Sequence, residues 1–133
     1  MGLFLILYLP IQMKHKKIII NKSKFNIIVE RLSHQLIENH GDFKETVLIG
    51  IQPRGTHLCN RIHQKLSSLL SNQKIKVGNL DITFYRDDFR RRKDPLEPQT
   101  MDIDFSIEGK HVILIDDVLY TGRSVRAAMD ALL

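Results

Sequence analysis

The sequence predicts an α/β fold, a mostly parallel twisted sheet flanked by helices. Three observations predict it. Two β-rich runs of strand length, Thr46–Ile51 and residues 112–115, read as buried strands. Stretches with apolar residues at helical spacing alternate with them. Each run stops at a polar turn, Gln52-Pro53-Arg54-Gly55 after the first and Asp116-Asp117 after the second. Strands that alternate with helices build parallel sheets, because the return crossover needs a helix.

The elements follow in order. Residues 18–20, three isoleucines, are expected as a short edge strand. Asn21 or Ser23 caps a helix that runs to about His40, with Gly41 as its stop. Phe25, Ile28, Leu32 and Leu36 line one face of that helix. After the first buried strand and its turn, Leu58, Ile62, Leu66 and Leu69 mark a second helix. Residues 81–86 alternate Ile82 and Phe84 against Thr83 and Tyr85, the pattern of a half-exposed strand. Residues 87–104 are polar, contain Pro95 and Pro98, and read as a long loop. Loops of that length inside a compact domain are uncommon and usually functional. His111 precedes the second buried strand and is read as structural. Val125, Ala128, Met129 and Leu132 then give a last helix, with no Gly, Asn or Pro stop after it. A doubly wound sheet needs further strands beyond such a helix, so the sheet is expected to be incomplete at its carboxyl end.

The 133 residues suit one domain, and 43% hydrophobic with 26% charged residues is ordinary globular composition. The single cysteine, Cys59, makes no internal disulfide, which sets a reduced, cytoplasmic expectation. Its place on an apolar helix face favours packing over catalysis. The six histidines show no metal-ligand spacing. The net charge of +5 is uneven: Lys14, Lys16, Lys17, Lys22 and Lys24 crowd the start, and Arg90, Arg91, Arg92 and Lys93 form a second run. Such runs are solvated faces or phosphate and nucleic-acid contacts, and composition does not decide between them. Residues 2–12 are apolar but too few for a bilayer span, which takes about 20 residues. Met13 opens a conventional start, so residues 1–12 are expected to be a non-native extension and 13–133 a partial domain. A weak membrane-contact segment is the alternative for those first residues.

The chemistry concentrates in residues 112–124. Four apolar residues lead to Asp116 and Asp117, and then Thr121-Gly122-Arg123-Ser124 opens a helix. Ligands of open α/β sheets sit outside the carboxyl ends of the strands. A helix N-terminus offers backbone N–H groups and a positive dipole end to a phosphate. Two adjacent carboxylates suit the vicinal hydroxyls of a ribose. Together they describe a site for a phosphorylated ribose. The plain alternative is a strand–turn–helix with exposed acids, but paired carboxylates before such a loop serve no packing purpose. A dinucleotide site is disfavoured, since no G-x-G-x-x-G follows any strand. Arg54-Gly55 occupies the corresponding edge after the first strand, with a fork of donors for phosphate and a residue that tolerates close backbone approach.

The stretch from Val112 to Ser124 resembles the phosphoribosyl-pyrophosphate motif of type I phosphoribosyltransferases over all thirteen positions. The wording Asp116-Asp117-Val118-Leu119-Tyr120-Thr121-Gly122-Arg123 is narrower and resembles the PyrR family of pyrimidine-operon regulators and uracil phosphoribosyltransferases. The resemblance extends from about residue 18 to residue 133 and implies a type I phosphoribosyltransferase fold. It implies that Asp116 and Asp117 hold the ribose, that 121–124 hold the 5′-phosphate, and that Leu119 and Tyr120 are placed by the loop. It implies pyrophosphate binding at Arg54 and Gly55, with Pro53 a departure from the apolar or hydroxyl residue usual before Arg-Gly. Tyr85-Arg86-Asp87-Asp88 resembles the start of the family's active-site loop, which would close over the pyrophosphate and exclude water, with Arg86 acting there.

Mg2+ is implied, bound mainly through the pyrophosphate. The implied reaction is uracil plus phosphoribosyl pyrophosphate giving UMP and pyrophosphate, in a homo-oligomer with no membrane partner. The family also implies UMP-dependent binding of a pyrimidine-operon leader RNA. Arg31 and His34 on the first helix match its basic face, whereas Glu30 stands where the family tends to carry Thr. An acid beside phosphates is unfavourable. Two rival readings stay open: a purine-type phosphoribosyltransferase, and a nucleotide-sensing RNA-binding regulator without turnover.

Overall fold

The structure, a computed structural model, describes residues 17–71, 73–83 and 101–133. The extension expected at 1–12 therefore lies outside the described residues. Residues 18–20 form no strand; Ile18 and Ile19 are 76% and 85% exposed. Their β-propensity expresses itself only against a neighbouring strand, and the chain instead enters a helix cap at once. The Asn21 side-chain oxygen accepts from the Lys24 N–H at 2.8 Å and opens helix α1, Lys22–His40. Gly41 closes it at φ 59°, its N–H donating to the Ile37 carbonyl. The buried stripe of α1 is turned from the expected one. Val29 and Ser33 are buried, while Leu32 remains 37% exposed. Ser33 tolerates burial because its hydroxyl donates to the Val29 carbonyl at 2.8 Å.

Strand β1, Thr46–Ile51, is buried at every position and occupies the centre of the sheet. It is followed by α2, Gly55–Leu69, then β2, Lys76–Leu80, β3, Met101–Asp102, β4, His111–Ile115, and α3, Arg123–Leu132. The strand order is β3-β2-β1-β4. Both neighbours of β1 run parallel to it, with Ile51 opposite Leu80 and Gly50 opposite Ile115. The short β3 is antiparallel to β2. This is the expected α/β architecture. The alternation of β1 sends Leu48 into a core under α1 and α2 with Val29, Cys59, Ile62 and Leu66. Val47, Ile49 and Ile51 face the other layer, where Leu80, Ile82, Ala127 and Ala128 close the core beneath α3. Cys59 is fully buried, and burial pushes its thiol up to about 11, as packing rather than catalysis requires.

Two strand expectations need correction. The strand expected at 81–86 lies earlier, at Lys76–Leu80. Past Leu80 the Asp81 carboxylate accepts from the Thr83 N–H at 2.9 Å, a local turn that ends the ladder. Ile82 is buried by the core without belonging to a strand, so its alternation with Thr83 marks no strand there. Residues 84–86 lie outside the described residues. Of the long loop expected at 87–104, residues 87–100 lie outside the described residues, and 101–102 form β3, whose two residues are too few to leave a periodic signal.

Candidate functional site

The carboxyl ends of β1 and β4 face one cleft of about 380 Å3. From the β1 side Gln52, Pro53 and Arg54 line it; from the β4 side every residue from Asp116 to Val125 does. Parallel register brings these ends together, since β1 and β4 are direct neighbours. The Gln52 N–H continues the ladder to the Leu80 carbonyl at 2.8 Å, which fixes the start of the turn.

Gly55 makes the approach possible. It is the first residue of α2 and is buried against the end of β4. A Cβ there would stand 2.5 Å from the Ile115 carbonyl oxygen and 3.0 Å from the Asp116 Cα. With no side chain at 55, the preceding Arg54 reaches across the cleft, and its Nε lies 3.0 Å from Asp117 Oδ2. Arg54 is largely exposed, so the contact is a surface ion pair, in the class worth about 0–1 kcal/mol. It is readily exchanged for a ligand.

The two carboxylates are not equivalent. Asp116 Oδ1 accepts the Asp117 N–H at 2.8 Å, while Asp117 faces Arg54. Burial, reinforced by the neighbouring Asp117 carboxylate, raises the Asp116 carboxyl above its ordinary value. The folded state therefore holds the Asp116 proton more tightly than the unfolded chain, and ionising it near neutrality weakens the fold. Asp116→Asn, which keeps an acceptor for the Asp117 N–H, is expected to raise stability at neutral pH. The gain should shrink as pH falls through the raised titration and vanish below the ordinary 3.8. Urea melts across that range check this. A gain that grows with acidity would contradict it.

Val118, Leu119 and Tyr120 form the lip, 61%, 76% and 91% exposed. Gly122, at φ 79°, turns the chain into α3, a conformation that favours glycine. The Thr121 hydroxyl accepts from the Arg123 N–H at 3.4 Å. The first turn of α3, with Arg123 and Ser124, thus forms the cleft wall beside the carboxylates. An acceptor pair, a guanidinium and a helix N-terminus share one opening, which suits a polyhydroxylated, phosphorylated ligand.

Of the residues singled out from sequence, Pro53, Arg54 and 116–124 line the cleft and Gly55 lies directly behind it. Tyr85, Arg86, Asp87, Asp88 and the 90–93 run lie outside the described residues. Arg31 and His34 are exposed on α1 and contribute nothing to the cleft. Ile51, Gln52, Ile82 and Val125 also line it, none of them singled out as site residues from sequence. Ile51 and Gln52 carry a signal, their place at and one residue past a strand's carboxyl end. No helix among the described residues is long and apolar enough to cross a membrane.

Residues 15–133 match the family model described as a phosphoribosyl transferase domain. The "Bifunctional protein PyrR" of Brevibacillus brevis is 40% identical over 121 residues, covering 91% of this chain and 67% of the relative. The protein of the same name from Oceanobacillus iheyensis is 43% identical over 123 residues, covering 91% and 68%. That from Haemophilus ducreyi is 44% identical over 119 residues, covering 89% and 65%. The chain spans about two thirds of the length of these curated relatives. A shared domain and this level of identity along nine tenths of the chain agree with the motif at the carboxyl end of β4, and the chain belongs to the PyrR family of phosphoribosyl transferase domains.

Proposed function

We propose that the cleft binds phosphoribosyl pyrophosphate and that the protein transfers its phosphoribosyl group to uracil, giving UMP and pyrophosphate. The observation that carries this reading is the convergence of Arg54, Asp116, Asp117 and the α3 N-terminus on one opening. Asp116 and Asp117 accept the 2′ and 3′ hydroxyls, and their charge favours the positive character that develops on the ribose. Backbone N–H groups and hydroxyls of Thr121 to Ser124 take the 5′-phosphate. Arg54 leaves Asp117 and takes the departing pyrophosphate, its Asp117 contact replaced by ribose. The exposed Val118, Leu119 and Tyr120 present apolar surface beside the sugar.

Mg2+ fits as a companion of the substrate. Two adjacent carboxylates supply only a fraction of the oxygens the ion takes, so pyrophosphate and water furnish the rest. When bound, the ion neutralises charge on the leaving group. Uracil rather than a purine is supported by the PyrR identity of the relatives. The test is calorimetric titration of the protein with phosphoribosyl pyrophosphate and Mg2+, beside labelled uracil turnover. Saturable binding and UMP formation are expected. No binding, or turnover of hypoxanthine or guanine in place of uracil, would overturn the reading.

We also propose that the protein binds an RNA leader through α1, with Arg31 and His34 exposed there for phosphate contact. Removing a basic contact should weaken binding and flatten its salt dependence. Arg31→Ala and His34→Ala should each lower RNA affinity severalfold in gel shifts while leaving uracil turnover unchanged, since α1 does not line the cleft. Unaltered RNA affinity in both variants would remove α1 from the interface.

A further inference from the structure

Away from the cleft, α1 and α2 enclose a groove of about 340 Å3 lined by Asn26, Arg61, Gln64, Lys65 and Ser68 over Val29. The α2 residues fall at i, i+3, i+4 and i+7, a single helix face. On α1 Asn26, Glu30 and His34 fall at i, i+4 and i+8, so the groove's α1 edge runs toward the basic positions proposed for RNA. The α2 stripe spans about 10 Å at helical rise, longer than one phosphate group. Its lining polar groups include two cations, two amides and a hydroxyl, with the Glu30 carboxylate at its α1 edge.

Both cations are placed by neighbours. The Arg61 guanidinium lies 5.2 Å from the Phe25 ring centroid, so its stem is held and its fork is displayed. Lys65 Nζ lies 3.7 Å from Glu30 Oε2, a long and partly exposed pair. Glu30 is the acid that departs from the family's Thr. Across the groove it faces a lysine, so its charge is compensated within the protein rather than presented alone to a polyanion.

We infer that the α1–α2 groove is a second track for a phosphodiester backbone, with Arg61 and Lys65 of α2 taking phosphates alongside Arg31 and His34 of α1. It rests on the RNA reading above and extends it to the face of α2 that lies away from the cleft. Lys65 keeps its Glu30 contact on one N–H and offers its remaining donors to a phosphate, and Arg61 holds its phosphate from the Phe25 platform. Asn26, Gln64 and Ser68 supply neutral hydrogen bonds between the two charges.

The test is fluorescence anisotropy with the full chain and a labelled RNA hairpin carrying single-stranded flanks, titrated at several salt concentrations. Four proteins are compared with the wild type: Arg61→Gln with Lys65→Gln together, Arg61→Lys, Arg31→Ala and His34→Ala. The double variant is expected to bind about tenfold or more weakly near physiological salt. The slope of log affinity against log salt should fall by about 1.4, at about 0.7 per lost contact to single-stranded RNA. Arg61→Lys keeps the charge and should retain most of the binding.

If the two α1 variants weaken binding while the double variant keeps wild-type affinity and slope, the groove inference fails and the α1 reading stands. If only the groove variants weaken it, the groove stands and the α1 reading fails. Absence of RNA binding by the wild type overturns both. A loss that Arg61→Lys shares in full, with a lowered thermal midpoint, would assign the effect to packing over Phe25 and overturn the groove.

Discussion

Asp116→Asn combined with Asp117→Asn is expected to abolish phosphoribosyl transfer while the fold survives. Both acids act, in the proposed mechanism, on charge that appears only as the ribose–pyrophosphate bond breaks. Removing one such preorganised contact typically loses about 10²–10³ in turnover, or about 3–4 kcal/mol. The two act on one centre, so the double variant is not expected to show the product of two such losses. Structural damage should be small. Asparagine preserves an acceptor for the Asp117 N–H, and the Arg54 contact that disappears is an exposed pair of little energetic weight. The burial that raises the Asp116 carboxyl makes its neutral replacement favourable for the fold. Loss of turnover with an unchanged or raised thermal midpoint is therefore the expected pairing. Near-normal UMP formation by the double variant would disprove the assignment of these acids to the ribose.

What the sequence made legible follows physical lines. β1 was readable because a strand buried on both faces needs apolar residues at nearly every position. The four apolar residues of β4 carry the same signal, but only Ile115 is buried and Val112 to Leu114 are half-exposed, because β4 is an edge strand among the described residues. β2 was not readable, since Lys76-Val77-Gly78-Asn79-Leu80 has neither a continuous apolar run nor a clean alternation. The isoleucines at 18–20 carry strand propensity with no strand beside them, and propensity without a partner specifies nothing. In α1 apolar spacing does not reveal the buried face, because a serine occupies a core position, its hydroxyl satisfied within the helix. The site divides in the same way. Residues 116–124 form one contiguous segment, so their chemistry could be read locally. The Arg54–Asp117 contact and the Glu30–Lys65 pair depend on which elements become neighbours, which no local pattern contains.

Gly55→Ala is expected to damage both stability and ligand binding, because one backbone approach serves both. The added methyl would meet the Ile115 carbonyl oxygen at 2.5 Å and the Asp116 Cα at 3.0 Å. Both are backbone atoms, so no side-chain rotation relieves the clash. Either the first turn of α2 withdraws from the end of β4, or β4 yields its register with β1. Helix propensity acts in the opposite direction, favouring alanine by about 1 kcal/mol in a helix interior and by less in the first turn. Overpacking against a rigid backbone costs about 1–3 kcal/mol and should prevail. The expected outcome is a thermal midpoint several degrees lower, at roughly 2–8 °C per kcal/mol for domains near this size. Affinity for phosphoribosyl pyrophosphate should fall with it, because withdrawal of α2 carries Arg54 away from Asp117 and opens the cleft between them. The two losses are separable by measuring ligand affinity well below the melting transition, where the variant is folded. Weakened binding in a fully folded variant would tie the site to this single close approach. A variant as stable as the wild type with unaltered affinity would show that α2 can retreat from β4 without consequence, and the role given to Gly55 would fall.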